Sequence, residues 1–235
     1  MLDVSGQKPW KQQRVLKKQD IPSQKEIEMM ADEFESDRDR ALFIIAYLTA
    51  GRITEIVKCS YFLRPIYKKT DVIDKEGYIQ KKSLVRMNKK PIVESITKVE
   101  HNYPGIRKKD IHMEEIDGKD VLIIKMENRK NKKIIKKRLP IPMDKEIELI
   151  GRLMRYVKPL ETPETPLFNF GRCMAERIIA KANMNPHFLR DIRLTHMVTI
   201  YKFTGFQLQK FAGWKDIQPA EKYIRLGVAD LVSNY

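Results

Sequence analysis

Long apolar runs are missing from this sequence. The longest stretch of that character, "ALFIIAYLTA" at 41–50, falls well short of the roughly 18 residues a membrane span needs. It suits a buried core helix instead. The first residues, "MLDVSGQKPWKQQRV", lack the apolar block of a secretory signal. Cysteine is scarce too. Cys59 and Cys173 are the only two, and they form no metal-ligand spacing. They read as ordinary thiols of an intracellular protein. No internal repeat is found. Negative charge is in deficit: 46 Lys and Arg stand against 31 Asp and Glu, a net charge of +15. Such an excess does not set a fold, but it favours polyanionic partners. Nucleic acid is the first candidate, and an anionic membrane surface the second. A chain of 235 residues is long enough to bury a core without disulfide staples. The share of Lys and Glu hints at a thermophilic source.

Along the chain, residues 1–22 are polar and basic and read as an arm or linker remnant. Ser23 opens a capping box with Glu26, which predicts a helix running to about Ser36. A second helix is expected over Asp37–Ala50, and "RITEIVKCSYF" reads as a further short helix. The pattern changes between 64 and 109. "RPIYKKTDVIDKEGYIQKKSLVRMNKKPIVE" is either a solvated loop excursion or an inserted basic subdomain that touches nucleic-acid backbone. In the second case Lys81, Lys82, Lys89 and Lys90 would meet phosphates. "VLIIKM" and "IIKKRLPIP", separated by "NRKNKK", predict a β-hairpin. Helical periodicity then returns at 144–157, 171–183, 187–202 and 205–212, and Pro219 suits the first turn of a last helix. The expected class is mostly α with a small antiparallel β-sheet. One domain is expected over 23–235, with a tail at about 227–235.

Several segments hold residue types suited to handling a phosphate. "GRITE" supplies Arg52 and Glu55. The hairpin turn supplies Lys130, with Lys132 and Lys133 beside it. "NPHFLRDIRLTH" puts His187 and Arg190 three apart, on one helix face. "GFQLQKFAGWKDIQPAEKY" supplies Trp214 and, nine residues later, Tyr223. Singly, each has an ordinary reading as a surface cation, a helix cap or a packing aromatic. Taken together and in this order, they resemble the tyrosine recombinase (phage-type integrase) family over about residues 24–226. "TAGRITEI" is similar to that family's first arginine box, "PHFLRDIRLTHMV" to its His-x-x-Arg box, and the Gly-Trp segment to its closing box.

The resemblance implies that Tyr223 attacks a scissile DNA phosphate, leaving a 3′-phosphotyrosyl link and a free 5′-hydroxyl. Arg52 and Arg190 would hold the non-bridging oxygens with planar forks of donors. Fixed donors of this kind are worth about 3 kcal/mol each. A phenol ionises at a pH of about 10 and needs activation. His187 would bind the same phosphate or accept the phenolic proton. Trp214 can only donate. Lys130 would protonate the departing oxygen, Lys132 and Lys133 would contact DNA, and Glu55 would buttress Arg52. No metal or other cofactor is implied, because the arginines supply the charge. The partners implied are double-stranded DNA and further copies of the chain, as a tetramer on DNA and a monomer in solution, inside the cell. The source implied is a mobile element of archaeal type.

Four features depart from the family pattern. Asp191 stands where a second histidine often follows the arginine, and the sequence assigns it no role. Trp214 takes the place of a more frequent histidine. The gap from Arg52 to Lys130 is long, and the family's separate N-terminal domain is missing, which makes the chain look like a catalytic domain. The same chemistry also serves type IB topoisomerases. A catalytically silent DNA-binding module would keep the fold and the charge.

Overall fold

The structure is a computed structural model, described here for residues 21–73, 79–88, 90–128 and 135–224. It divides into two compact units. One comprises the chain up to Lys58 together with everything from Pro104 onward; the other is Cys59–Tyr103.

The first unit is mostly helical with a three-stranded antiparallel sheet. Its helices are α1 (Gln24–Asp32), α2 (Asp37–Thr49) and the single turn α3 (Ile53–Ile56). After the sheet come α4 (Met143–Val157), α5 (Arg172–Ala180), α6 (Pro186–Thr199) and α7 (Gly205–Ala212). A 3-10 turn at Gln218–Ala220 then leads into helical residues 221–224. Ser23 caps α1 through the expected box: its hydroxyl accepts from the Glu26 N–H, and the Glu26 carboxylate accepts from the Ser23 N–H. α1 is shorter than its sequence predicts, ending at Asp32 rather than near Ser36.

Beyond its charged first turn α2 is apolar on every face, and Ala41–Tyr47 are at most 3% exposed. A helix of that pattern belongs at the centre of a core. α1, α4, α5 and α6 pack around it. α4 contributes a stripe of Leu149, Ile150, Leu153 and Val157, buried at helical spacing.

"RITEIVKCSYF" is helical only over α3. The Ile56 carbonyl, which would extend the helix, accepts instead from the N–H of Ile106 at 3.0 Å. Gly105 permits this close return: its φ is +89°, and a Cβ there would lie 2.8 Å from the Ile56 oxygen.

In the second unit the basic segment, for which the sequence leaves both a loop and an inserted subdomain open, is built of strands. Strands β1 (Cys59–Tyr67) and β6 (Val93–Tyr103) form an antiparallel ribbon. Two hairpins lie between them, β2 (Lys69–Ile73) with β3 (Ile79–Leu84), and β4 (Arg86–Met87) with β5 (Lys90–Pro91). The three ribbons meet at a cyclic junction. The Lys68 N–H donates to Ile92, Ile92 to Val85, and Val85 to Lys68. β-branched and aromatic residues such as Tyr61, Ile66, Val93, Ile96 and Thr97 favour this pleated form despite the charge. The compact unit starts at Cys59 and closes at Tyr103, whereas the sequence puts the insertion at 64–109.

The sheet of the first unit holds one strand more than the sequence predicts. β7 (Ile111–Ile116) pairs with β8 (Lys119–Asn128), and β8 with β9 (Ile135–Pro142). Asp117 and Gly118 turn the chain between β7 and β8, both with positive φ, as a two-residue hairpin of the primed type requires. β8 lies in the middle, and Val121–Ile124 are buried on both faces. α3 and α4 pack against this strand. Among the described residues, no helix is long and apolar enough to cross a membrane.

Candidate active site

The site begins where α2 stops. Ala50 takes a left-handed conformation, φ 44°, and ends the helix. Its carbonyl is one of the orphans of the helix C-terminus. Arg190 of α6 reaches that carbonyl with Nη1, and its Nη2 lies 3.4 Å from the carbonyl of Ala212 at the end of α7. Arg190 therefore ties two helix ends together and is only 7% exposed. Burial, with the like charge of Arg52 nearby, holds its guanidinium below the usual range.

Arg52 caps the short α3. Glu55 accepts from the Arg52 N–H at 3.1 Å and from its Nη1 at 2.9 Å, so the carboxylate fixes both backbone and fork. The Arg52 side chain keeps about a third of its surface exposed, while Glu55 is buried. Glu55 thus holds Arg52 by two contacts.

Glu55 has a second cationic neighbour that sequence reasoning missed. Lys137 projects inward from β9, and its Nζ lies 3.4 Å from Glu55 Oε2 and donates to the Ala212 carbonyl at 3.0 Å. Its side chain is 4% exposed. Burial drives its pKa down against the pull of Glu55, and the neighbouring Arg190 adds to the fall. The signal for Lys137 was present in "IIKKRLPIP". Alternation puts residues 137, 139 and 141 on one face, and Leu139 and Ile141 are core residues. Lys130, Lys132 and Lys133, the hairpin lysines, lie outside the described residues.

Gly213 joins this arrangement to the closing segment. It ends α7 with φ +67°, and a Cβ there would come within 2.3 Å of Lys137 Cε. The lysine stem occupies the space that any other residue would fill. Trp214 follows, with its indole stacked on the Tyr223 ring at a centroid distance of 5.9 Å and an interplanar angle of 11°. The Arg190 guanidinium lies 5.9 Å from the Trp214 ring centre.

Tyr223 is 2% exposed. Its hydroxyl donates to Oδ1 of Asp191, the residue after Arg190 on α6. Lys222 Nζ reaches the same carboxylate oxygen at 3.0 Å. Burial first, and Asp191 second, push the phenol well above its ordinary pKa. The structure thus brings together Arg52, Glu55, Arg190, Trp214 and Tyr223, and adds Lys137, Asp191 and Lys222. His187 is less engaged. It is exposed near the start of α6, and its side chain forms no hydrogen bond or ion pair with another described residue. Lys81 and Lys82 are on β3, and Lys90 is exposed on β5; Lys89 lies outside the described residues.

The Thr-His pair of "RLTH" has a structural role. His196 is buried, with Nε2 2.9 Å from the Pro22 carbonyl and Nδ1 2.8 Å from the Tyr47 hydroxyl. A carbonyl can only accept, so Nε2 carries the proton and Nδ1 accepts from Tyr47. Burial, reinforced by Arg193, pushes this histidine down to about 4. Arg193 pairs with Glu146 in the interior, and Tyr201 donates to the same carboxylate oxygen. Tyr201 is thereby occupied as a core residue.

Chemically, this pocket concentrates arginine and lysine around a phenol, with carboxylates on two of the cations. Such a set can bind a single phosphodiester through charge-assisted hydrogen bonds. No family model matches the sequence, and no curated protein matches it. Among solved structures, the chain is similar to the XerH site-specific recombinase bound to difH substrate, a pre-cleavage complex. The identity is 15% and the TM-score 0.49. The similarity covers 93% of this chain and 52% of that one, so the chain spans about half the length of that recombinase.

Proposed function

We propose that this chain cleaves and rejoins double-stranded DNA as a site-specific recombinase, the integrase of a mobile element, through a 3′-phosphotyrosyl intermediate. The observation that carries the reading is the meeting of a buried phenol with two arginines and a lysine drawn from separate elements. The Tyr223 oxygen bonds to phosphorus while the bond from phosphorus to the 5′-oxygen breaks. Arg52 and Arg190 hold the non-bridging oxygens, on which charge gathers in the transition state. The 5′-oxygen leaves with a proton from a lysine. Lys137 is one candidate donor, since a lysine of depressed pKa gives up its proton more readily. Lys130 is the other. His187 and the Trp214 indole N–H supply further donors to the phosphate. Rejoining is the reverse, with a 5′-hydroxyl as nucleophile. The phosphotyrosine conserves the bond, so no nucleotide cofactor enters the cycle.

Strand exchange requires two duplexes, so the reading includes assembly of monomers into a tetramer on DNA. The lysines on β3 and β5, Lys81, Lys82 and Lys90, would add phosphate contacts that are indifferent to sequence. The test begins by trapping covalent adducts on a pool of nicked duplexes of randomised sequence, and reading the recovered sequences. Two copies of the recovered site are then placed on one plasmid. Recombinant junctions support a recombinase. Relaxation of supercoils without junctions would reassign the chain to nicking and closing, and no adduct at all would leave only DNA binding.

A further inference from the structure

The geometry points to Asp191 as the residue that takes the proton from Tyr223, a catalytic role in the reaction proposed above and resting on that reading. Among the described residues, Asp191 is the only hydrogen-bond acceptor of the Tyr223 hydroxyl. The Trp214 indole covers one face of the phenol ring, and Lys222 Nζ lies 4.5 Å from the ring centre. The hydroxyl is therefore aimed at a carboxylate, the geometry a general base requires. His187, which the family resemblance offers as an acceptor of this proton, stays exposed and makes no bond to the phenol.

The charges around the pair suit proton transfer. Lys222 pairs with the carboxylate and Arg190 adjoins it along α6. As the bond from Tyr223 to phosphorus forms, the phenolic proton passes to Asp191 Oδ1. The 5′-oxygen takes its proton from the lysine. On rejoining, the neutral Asp191 carboxyl returns the proton to the departing phenol, and the lysine recovers its own from the attacking hydroxyl. No proton is gained or lost over the cycle, and no oxidant or co-reactant is involved.

The experiment measures single-turnover adduct formation by the full chain on the pool of nicked duplexes, for the wild type, Asp191→Asn, Asp191→Glu and Tyr223→Phe. Asp191→Asn is expected to slow adduct formation by about 100-fold or more at neutral pH while DNA retention in native gels stays unchanged. The deficit should narrow as pH rises and the phenol ionises unaided, and Asp191→Glu should recover part of the rate. An Asn variant as fast as the wild type overturns the proposal. A faster one also overturns it, because it would make the carboxylate a brake. A wild type without an adduct, or an adduct that survives Tyr223→Phe, removes the underlying reading and is distinct from either result. A second readout needs no DNA. With tyrosine labelled at Cζ, the Tyr223 carbon resonance should titrate at lower pH in Asp191→Asn, and an unmoved titration overturns the contact itself.

Discussion

Lys137 and Glu55 meet inside the protein, the ammonium 3.4 Å from the carboxylate, each side chain 4% exposed. Glu55 also holds Arg52, and Lys137 also holds the carbonyl of Ala212, one residue before Gly213. One buried pair therefore couples the arginine-bearing turn, strand β9 and the end of α7. Glu55 offsets part of the cost of burying an ammonium. What remains is a lysine held at the centre of a cationic pocket and inclined to lose its proton.

Lys137→Ala is expected to slow cleavage of ordinary DNA by about 100-fold or more, the range of a lost general acid. A substrate with sulfur at the bridging 5′ position has a leaving group that needs no proton. On that substrate the variant should cleave near the wild-type rate. Equal slowing on both would mean that Lys137 positions Glu55 and Arg52, and would return the acid role to Lys130 or Lys132.

Glu146 and Arg193 form a second buried pair, both about 1% exposed. Glu146 departs from helical geometry within the first turn of α4, with φ −135°, and receives Arg193, Tyr201 and Gln24. Glu146→Ala leaves a guanidinium in the core without its counter-charge. The expected loss is about 3–5 kcal/mol, read as a lower urea midpoint with little change in slope. A loss under about 1 kcal/mol would mean that water or a rearranged partner satisfies Arg193.

His196 gives the fold an acid-sensitive point. Its pKa falls from 6.5 to about 4 on folding, so the native state disfavours its protonation. The stabilisation is complete above pH 6.5 and is lost as pH falls through the window down to about 4. The magnitude at stake is up to about 3 kcal/mol. Urea unfolding measured across that window should show the decline, and replacing His196 by Gln should flatten it. An equally steep decline in the Gln variant would assign the acid sensitivity to other groups.

Much of the helical framework was legible because its signals are local. Ser23 and Glu26 announce α1, Asn185 and Pro186 start α6, and Thr204 and Gly213 bracket α7. Arg52, Arg190, Trp214 and Tyr223 stand in recognisable boxes, and they converge. The rest depended on contacts distant in sequence. α3 stops at Ile56 because Ile106 takes its carbonyl, which no window around residue 56 contains. β7 was missed although Asp117–Gly118 marks the turn, because a strand at the sheet edge such as "IHMEEI" alternates with charge. Lys137 was overlooked in favour of the lysine-rich turn, although strand alternation points it inward. Asp191 had no readable role, because its partner lies 32 residues away, on the last helical segment.

The most direct test of the account is whether Tyr223 becomes covalently attached to DNA. Wild-type protein mixed with nicked duplexes of randomised sequence should give a product that survives boiling in detergent, with a phosphate joined to Tyr223. Tyr223→Phe should give none while still binding DNA. An adduct that persists in Tyr223→Phe, or one mapped to another residue, would contradict the account at its centre.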